Sequence, residues 1–125
     1  MAIKKILIVD DSSTARHFLL DVLTKGGYEV LVSENGDDAI LKAKADLPDL
    51  ILMDVIMPGI NGFQATRAIT KDEATKHIPV IMLTSKDMET DRIWGMRQGA
   101  AEFLSKPIEP AALLQKIRAL DQAEV

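Results

Sequence analysis

Acidic, hydroxyl and cationic residues stand at the ends of three apolar runs and one shorter mixed segment in this chain. Asp10 and Asp11 follow Ile6-Leu7-Ile8-Val9, and Asp54 follows Leu50-Ile51-Leu52-Met53. Thr84 follows Ile78-Pro79-Val80-Ile81-Met82-Leu83, and Lys106 follows Glu102-Phe103-Leu104-Ser105. If the runs are parallel strands, their C-terminal ends share one sheet edge, the edge where open α/β folds bind ligands. Three carboxylates brought together repel unless protons or a cation intervene. Mg²⁺ suits such a set because it takes oxygen ligands, keeps water and joins carboxylates to phosphate oxygens. A carboxylate beside that ion can attack a phosphoryl group and become an aspartyl phosphate. Lys106 would then stabilise phosphoryl charge, and the Thr84 hydroxyl could donate to one oxygen.

The elements that must carry these residues alternate along the chain. Short apolar runs bounded by turn signals read as fully buried strands. The first, Ile6–Val9, leads past candidate N-cap hydroxyls at Ser12, Ser13 and Thr14 into a helix with Ala15, Leu19, Val22 and Leu23 at helical spacing, ended by Gly26-Gly27. A second strand is expected over Tyr28–Val32, then a turn at Glu34-Asn35-Gly36 and a helix from Asp37-Asp38 to Ala45, closed by Leu47-Pro48. The third strand, ending at Asp54, is followed by the turn Met57-Pro58-Gly59-Ile60-Asn61-Gly62 and a helix from Phe63 to about Thr70. Ile78–Leu83 forms the fourth strand, Met88 to Gln98 the fourth helix, stopped at Gly99, and Glu102–Ser105 the fifth strand. The last helix runs from Pro110 to about Leu120, and Asp121–Val125 is expected to fray. Five strands alternating with five helices imply an α/β fold, a parallel sheet covered on both faces by right-handed crossovers. A single domain over 1–125, with a core of about 4–120, is expected.

Composition narrows the function. With 125 residues, 47% hydrophobic and 27% charged, the chain fits one folded domain. A net charge of −4 and a pI near 5.1 argue against nucleic-acid binding. Lys4-Lys5, the adjacent basic pair, reads as a solvated strand start that discourages edge pairing. Without cysteine there is no disulfide or thiolate chemistry. No run approaches the roughly 18 apolar residues of a membrane span, and no signal-type segment opens the chain. The expectation is a soluble, cytoplasmic monomer.

These motifs together resemble a response-regulator receiver domain of the CheY type. The resemblance runs from Ile-Val-Asp-Asp-Ser at 8–12, through Leu-Met-Asp-Val-Ile-Met-Pro-Gly at 52–59, to Thr84-Ser85 and Lys106-Pro107. It covers essentially the whole chain. It implies a flavodoxin-like (βα)5 fold with sheet order 2-1-3-4-5, the order of CheY itself. On this sequence it makes Asp54 the phosphoacceptor, and Asp10, Asp11, Asp54 and the main-chain carbonyl of Ile56 the Mg²⁺ ligands. Thr84 becomes the switch hydroxyl, Lys106 the phosphate-pairing lysine with a cis bond to Pro107, and Phe103 the switch aromatic in place of the usual Tyr. A sensor histidine kinase, or its phosphotransfer domain, would be the donor. Output would pass to a protein target through the face of the fourth helix, fifth strand and fifth helix, since no output domain follows. The segment Asp11–Arg16 is similar to that of the small regulators of type IV pilus twitching motility, which suggests chemotaxis-like motility signalling.

Blander roles exist for each residue alone: helix caps for Asp10 and Asp11, a loop carboxylate for Asp54, a strand-end residue for Thr84, an exposed charge for Lys106. Their joint arrangement favours the site. His17 and His77 read as surface residues, Trp94 as partial core, and Met53, Met57 and Met82 as packing. Two other classes compete. One is a receiver belonging to a longer regulator, or a phosphate sink. The other is a Mg²⁺-dependent phosphatase with an aspartate nucleophile, whose usual general acid two positions on is here Ile56. A flavodoxin fits less well, because acids at the sheet edge would repel its cofactor's phosphate. Ile56 and Lys86 each lie two residues beyond a site residue and are expected to flank an acyl phosphate where hydrolytic water approaches.

Overall fold

The computed structural model describes residues 3–84 and 89–123. Ser85, Lys86 and Met88 lie outside them. The elements alternate as β1 (Lys5–Val9), α1 (Ser13–Lys25), β2 (Glu29–Ser33), α2 (Gly36–Asp46), β3 (Leu50–Asp54), α3 (Gly62–Lys71), β4 (Val80–Thr84), α4 (Glu89–Arg97), β5 (Glu102–Ser105) and α5 (Pro110–Ala123). The five strands form one parallel sheet in the order β2-β1-β3-β4-β5. The flavodoxin-like expectation and its strand order are met.

Successive strand residues point to opposite faces, so each buried strand feeds two cores. Leu7, Val9, Ile51, Met53, Val80 and Met82 pack with Ala39, Ala43, Ala65 and Ile69 of α2 and α3. Ile6, Ile8, Leu50, Leu52, Ile81 and Leu83 pack on the other face with Leu19 and Leu23 of α1 and Leu113 and Ile117 of α5. Each fully buried aliphatic side chain contributes about 1.5–3 kcal/mol, which explains why β1, β3 and β4 read as continuous apolar runs.

Caps set where the helices begin. Ser12 accepts from Ala15 N–H at 3.2 Å, Asn35 from Asp38 N–H at 2.8 Å, and Asn61 exchanges hydrogen bonds with Gln64 in a capping box. At the far end of α2, Leu47 takes the left-handed conformation with φ 46°.

Several expectations are corrected. β4 starts at Val80, because Pro79 has no N–H for a ladder, although its carbonyl accepts from Ile51 N–H at 3.0 Å. β2 spans Glu29–Ser33, one residue later than Tyr28–Val32. Asp121 does not fray: α5 continues through it, and its Oδ1 accepts from Ile3 N–H at 3.0 Å. Lys5 cannot guard an edge, since β1 lies between β2 and β3. The N–H groups of Lys4 and Lys5 instead donate to Asp49 Oδ2, both at 2.9 Å, fastening the start of β1 to the start of β3. Trp94 is 53% exposed rather than partial core. His17 and His77 are exposed, and Met53, Met57 and Met82 are buried, as expected. Among the described residues no helix is long and apolar enough to cross a membrane.

Candidate functional site

The ends of β1, β3, β4 and β5 converge. β1 and β3 place the acids side by side: Val9 pairs with Met53, so Asp10 and Asp54 are the next residues on adjacent strands. Asp54 is opposite Leu83 of β4, which brings Thr84 one step further out, and Thr84 is opposite Ser105, the residue before Lys106. Asp10, Asp54 and Thr84 are buried, whereas Asp11 is exposed.

Carboxylate oxygens of Asp10, Asp11 and Asp54 all lie within 4.8 Å of one another. The Lys106 ammonium donates to Asp54 Oδ1 at 2.9 Å and to Asp10 Oδ2 at 3.3 Å. Its backbone N–H donates to the Thr84 carbonyl at 2.6 Å, and the Lys106-Pro107 peptide is cis. Burial pushes the Asp54 carboxyl above the usual range; the Lys106 hydrogen bond opposes this, and the charges of Asp10 and Asp11 add to it. Burial pulls the Lys106 ammonium down, but the hydrogen bond and charge of Asp54, with Asp10 behind it, hold it above the ordinary lysine value.

Beyond Asp54 the chain turns sharply. Gly62 N–H donates to the Val55 carbonyl at 2.8 Å, and a Cβ at Gly62 would overlap the Asp54 carbonyl oxygen. Only glycine lets α3 start this close to β3. Ile56 lies on this turn with its side chain 66% exposed beside the acids' strand end.

A set of three carboxylates, all hard oxygen donors, fits a divalent ion such as Mg²⁺ better than a soft metal. Asp10, Asp11 and Asp54 would hold it. Phe103, expected as the switch aromatic, is buried in this structure, its ring packed against α4 where Gly95 lacks a Cβ that would overlap it. Sequence reasoning gave no role to Arg16, whose Nη1 donates to the Asp10 carbonyl at 2.7 Å. Its only signal was its place in the segment Asp11–Arg16.

A (βα)5 sheet of this order with acids and a lysine at its C-terminal edge is the architecture of a phosphorylation-operated switch. The chain belongs to the response regulator receiver domain family, whose model matches residues 6–118. It is 53% identical over 116 residues to Protein PilH of Pseudomonas aeruginosa, covering 93% of this chain and 96% of that one. It is 43% identical over 116 residues to the response regulator PleD of Caulobacter vibrioides, covering 93% of this chain but 26% of PleD. Among solved structures, the receiver domain of a sensor histidine kinase from Pseudomonas aeruginosa, with a magnesium ion coordinated in its active-site cleft, superposes with a TM-score of 0.87 at 30% identity, over 94% of this chain and 97% of that one. Receiver domains belong to two-component signalling, working with histidine kinases and downstream effectors, and catalyse only their own phosphorylation and dephosphorylation.

Proposed function

We propose that this chain is a response regulator in which Asp54 accepts a phosphoryl group from a phosphohistidine of a sensor kinase or its phosphotransfer domain. The observation that carries the reading is the Lys106 ammonium 2.9 Å from Asp54 Oδ1, inside a cluster of three carboxylates. An Asp54 carboxylate oxygen attacks phosphorus, the P–O bond forms as the P–N bond breaks, and the imidazole leaves with the electron pair. Asp10, Asp11, Asp54 and the Ile56 carbonyl would hold Mg²⁺, which when bound would neutralise charge on the phosphoryl oxygens. Lys106 exchanges its hydrogen bond with the free carboxylate for one with the phosphoryl group, and the Thr84 hydroxyl donates to another oxygen.

The donor's approach is supported by an apolar groove of about 430 Å³ between the start of α1 and the β5–α5 turn, lined by Phe18, Leu19, Pro107 and Ile108 and reaching Asp10 and Lys106. Output runs through α4, β5 and α5, where Ile93 and Met96 stand about half exposed. Phosphorylation draws Thr84 inward and shifts the population between two arrangements of this face, with Phe103 behind Thr84 as the aromatic that responds. The likeness to PilH, which this chain covers over 96% of its length, supports a regulator of that type in motility signalling.

A second reading, a receiver serving a longer regulator, has support from PleD, of which this chain spans only a quarter. A Mg²⁺-dependent phosphatase acting on outside substrates is disfavoured by Ile56, an apolar side chain where that class places its general acid. The test is incubation with a small phosphodonor and Mg²⁺. One phosphoryl group should appear on the wild type and none on Asp54→Ala, and continuous phosphate release from many donors would favour the phosphatase.

A further inference from the structure

The two acids at the end of β1 are held in different ways. Asp10 is fixed at four atoms: its N–H donates to the Ser33 carbonyl at 3.1 Å, its carbonyl accepts from Arg16 Nη1 at 2.7 Å, Oδ1 accepts from Ser12 N–H at 2.9 Å, and Oδ2 accepts from Lys106 at 3.3 Å. Asp11 is exposed, and among the described residues no hydrogen bond or ion pair holds its carboxylate. Yet that carboxylate lies within 4.8 Å of those of Asp10 and Asp54. Its place must come from the backbone.

The Asp10 carbonyl and the Asp11 N–H belong to one planar peptide. A donor that fixes the direction of that carbonyl fixes the plane from which the Asp11 side chain departs. Arg16 is that donor. Its own N–H closes the first turn of α1 on the Ser12 carbonyl at 3.0 Å, so the guanidinium reaches back to the strand end from a rigid helical position.

We infer that Arg16 is a positioning residue for the cation site, holding the Asp10–Asp11 peptide in the orientation that turns Asp11 toward Asp10 and Asp54. The inference rests on the proposed reading of those acids as Mg²⁺ ligands. Charge alone makes the opposite claim: a guanidinium beside a dication site repels the ion, so its removal would tighten binding. The sign of the effect therefore separates the two roles.

The test is a Mg²⁺ titration of the full chain, stripped with chelator and followed by backbone amide NMR. Arg16→Met, similar in length and neutral, should raise the dissociation constant about tenfold, as loss of an outer-shell partner does elsewhere. In the metal-free spectrum of the variant the Asp11 amide should shift while those of β3 keep their positions. Arg16→Gln, too short to reach the carbonyl, should weaken binding likewise and serves if Arg16→Met does not fold. Binding as tight as or tighter than wild type in the folded variant overturns the role of Arg16. A wild type that takes up no Mg²⁺ contradicts the site itself.

Discussion

Lys106 bridges two strand ends: its ammonium lies 2.9 Å from Asp54 and 3.3 Å from Asp10, residues that sit 52 and 96 positions earlier in the chain. Both carboxylates are buried, so without the ammonium each would be left desolvated and repelling the other. The lysine side chain is itself 27% exposed, which moderates the cost. In metal-free protein Lys106→Met should therefore lower stability to urea by about 2 kcal/mol, below the full penalty for breaking a buried pair. Adding Mg²⁺ should recover part of the loss; a variant as stable as wild type in chelator would contradict the bridge.

Asp54 gives stability a pH dependence of definite sign. Its folded pKa is raised, first by burial, so between the ordinary carboxylate range and the folded value the native state holds a proton that the unfolded chain has lost. Stability in chelator should fall as pH rises through that window and stay lower above it. Asp54→Asn removes the dependence. At pH 7 the metal-free variant should be the more stable protein, and its advantage should shrink as the pH is lowered towards ordinary carboxylate values. Thermal unfolding across pH checks this, and a less stable variant at neutral pH would be the contrary result.

Ile56 stands exposed two residues beyond Asp54, where water must approach an acyl phosphate. Replacing it with a side chain that can hydrogen-bond water should speed hydrolysis. Ile56→Asn is expected to shorten the phosphorylated lifetime about fivefold, the rate equivalent of the roughly 1 kcal/mol that one net hydrogen bond contributes. Equal decay rates of the two phosphoproteins would rule the idea out. Lys86, expected to share this role, lies outside the described residues.

Gly95 provides the space that the Phe103 ring occupies. Gly95→Ala should overpack this contact and cost about 1–3 kcal/mol, less the helix propensity that alanine gains. Phe103→Leu in the same background should restore part of the loss. An additive pair would show that the two positions do not compete for space.

Much of the fold could be read from residue types because β1, β3 and β4 are buried on both faces and so appear as unbroken apolar runs. The site could be read for a related reason: in a parallel sheet, polar residues that end such runs must meet at one edge. What escaped depends on distances between elements rather than on local pattern. The contact of Asp121 with Ile3 joins residues 118 positions apart, so the last turn of α5 looked like a fraying end. Arg16 carries no periodicity signal, because its partner is a main-chain carbonyl whose direction is set by how the chain leaves β1. Trp94 reads as partial core in the sequence, but α4 turns Gly95 towards the sheet and leaves the indole about half exposed.

The central claim is that Asp54 is the phosphoacceptor of a receiver. Intact-mass analysis after incubation with a small phosphodonor and Mg²⁺ tests it most directly. Wild type should gain one phosphoryl group, lose it on standing and gain none when chelator replaces Mg²⁺, while Asp54→Ala should gain none under either condition. Phosphoryl uptake that survives in Asp54→Ala would contradict the account.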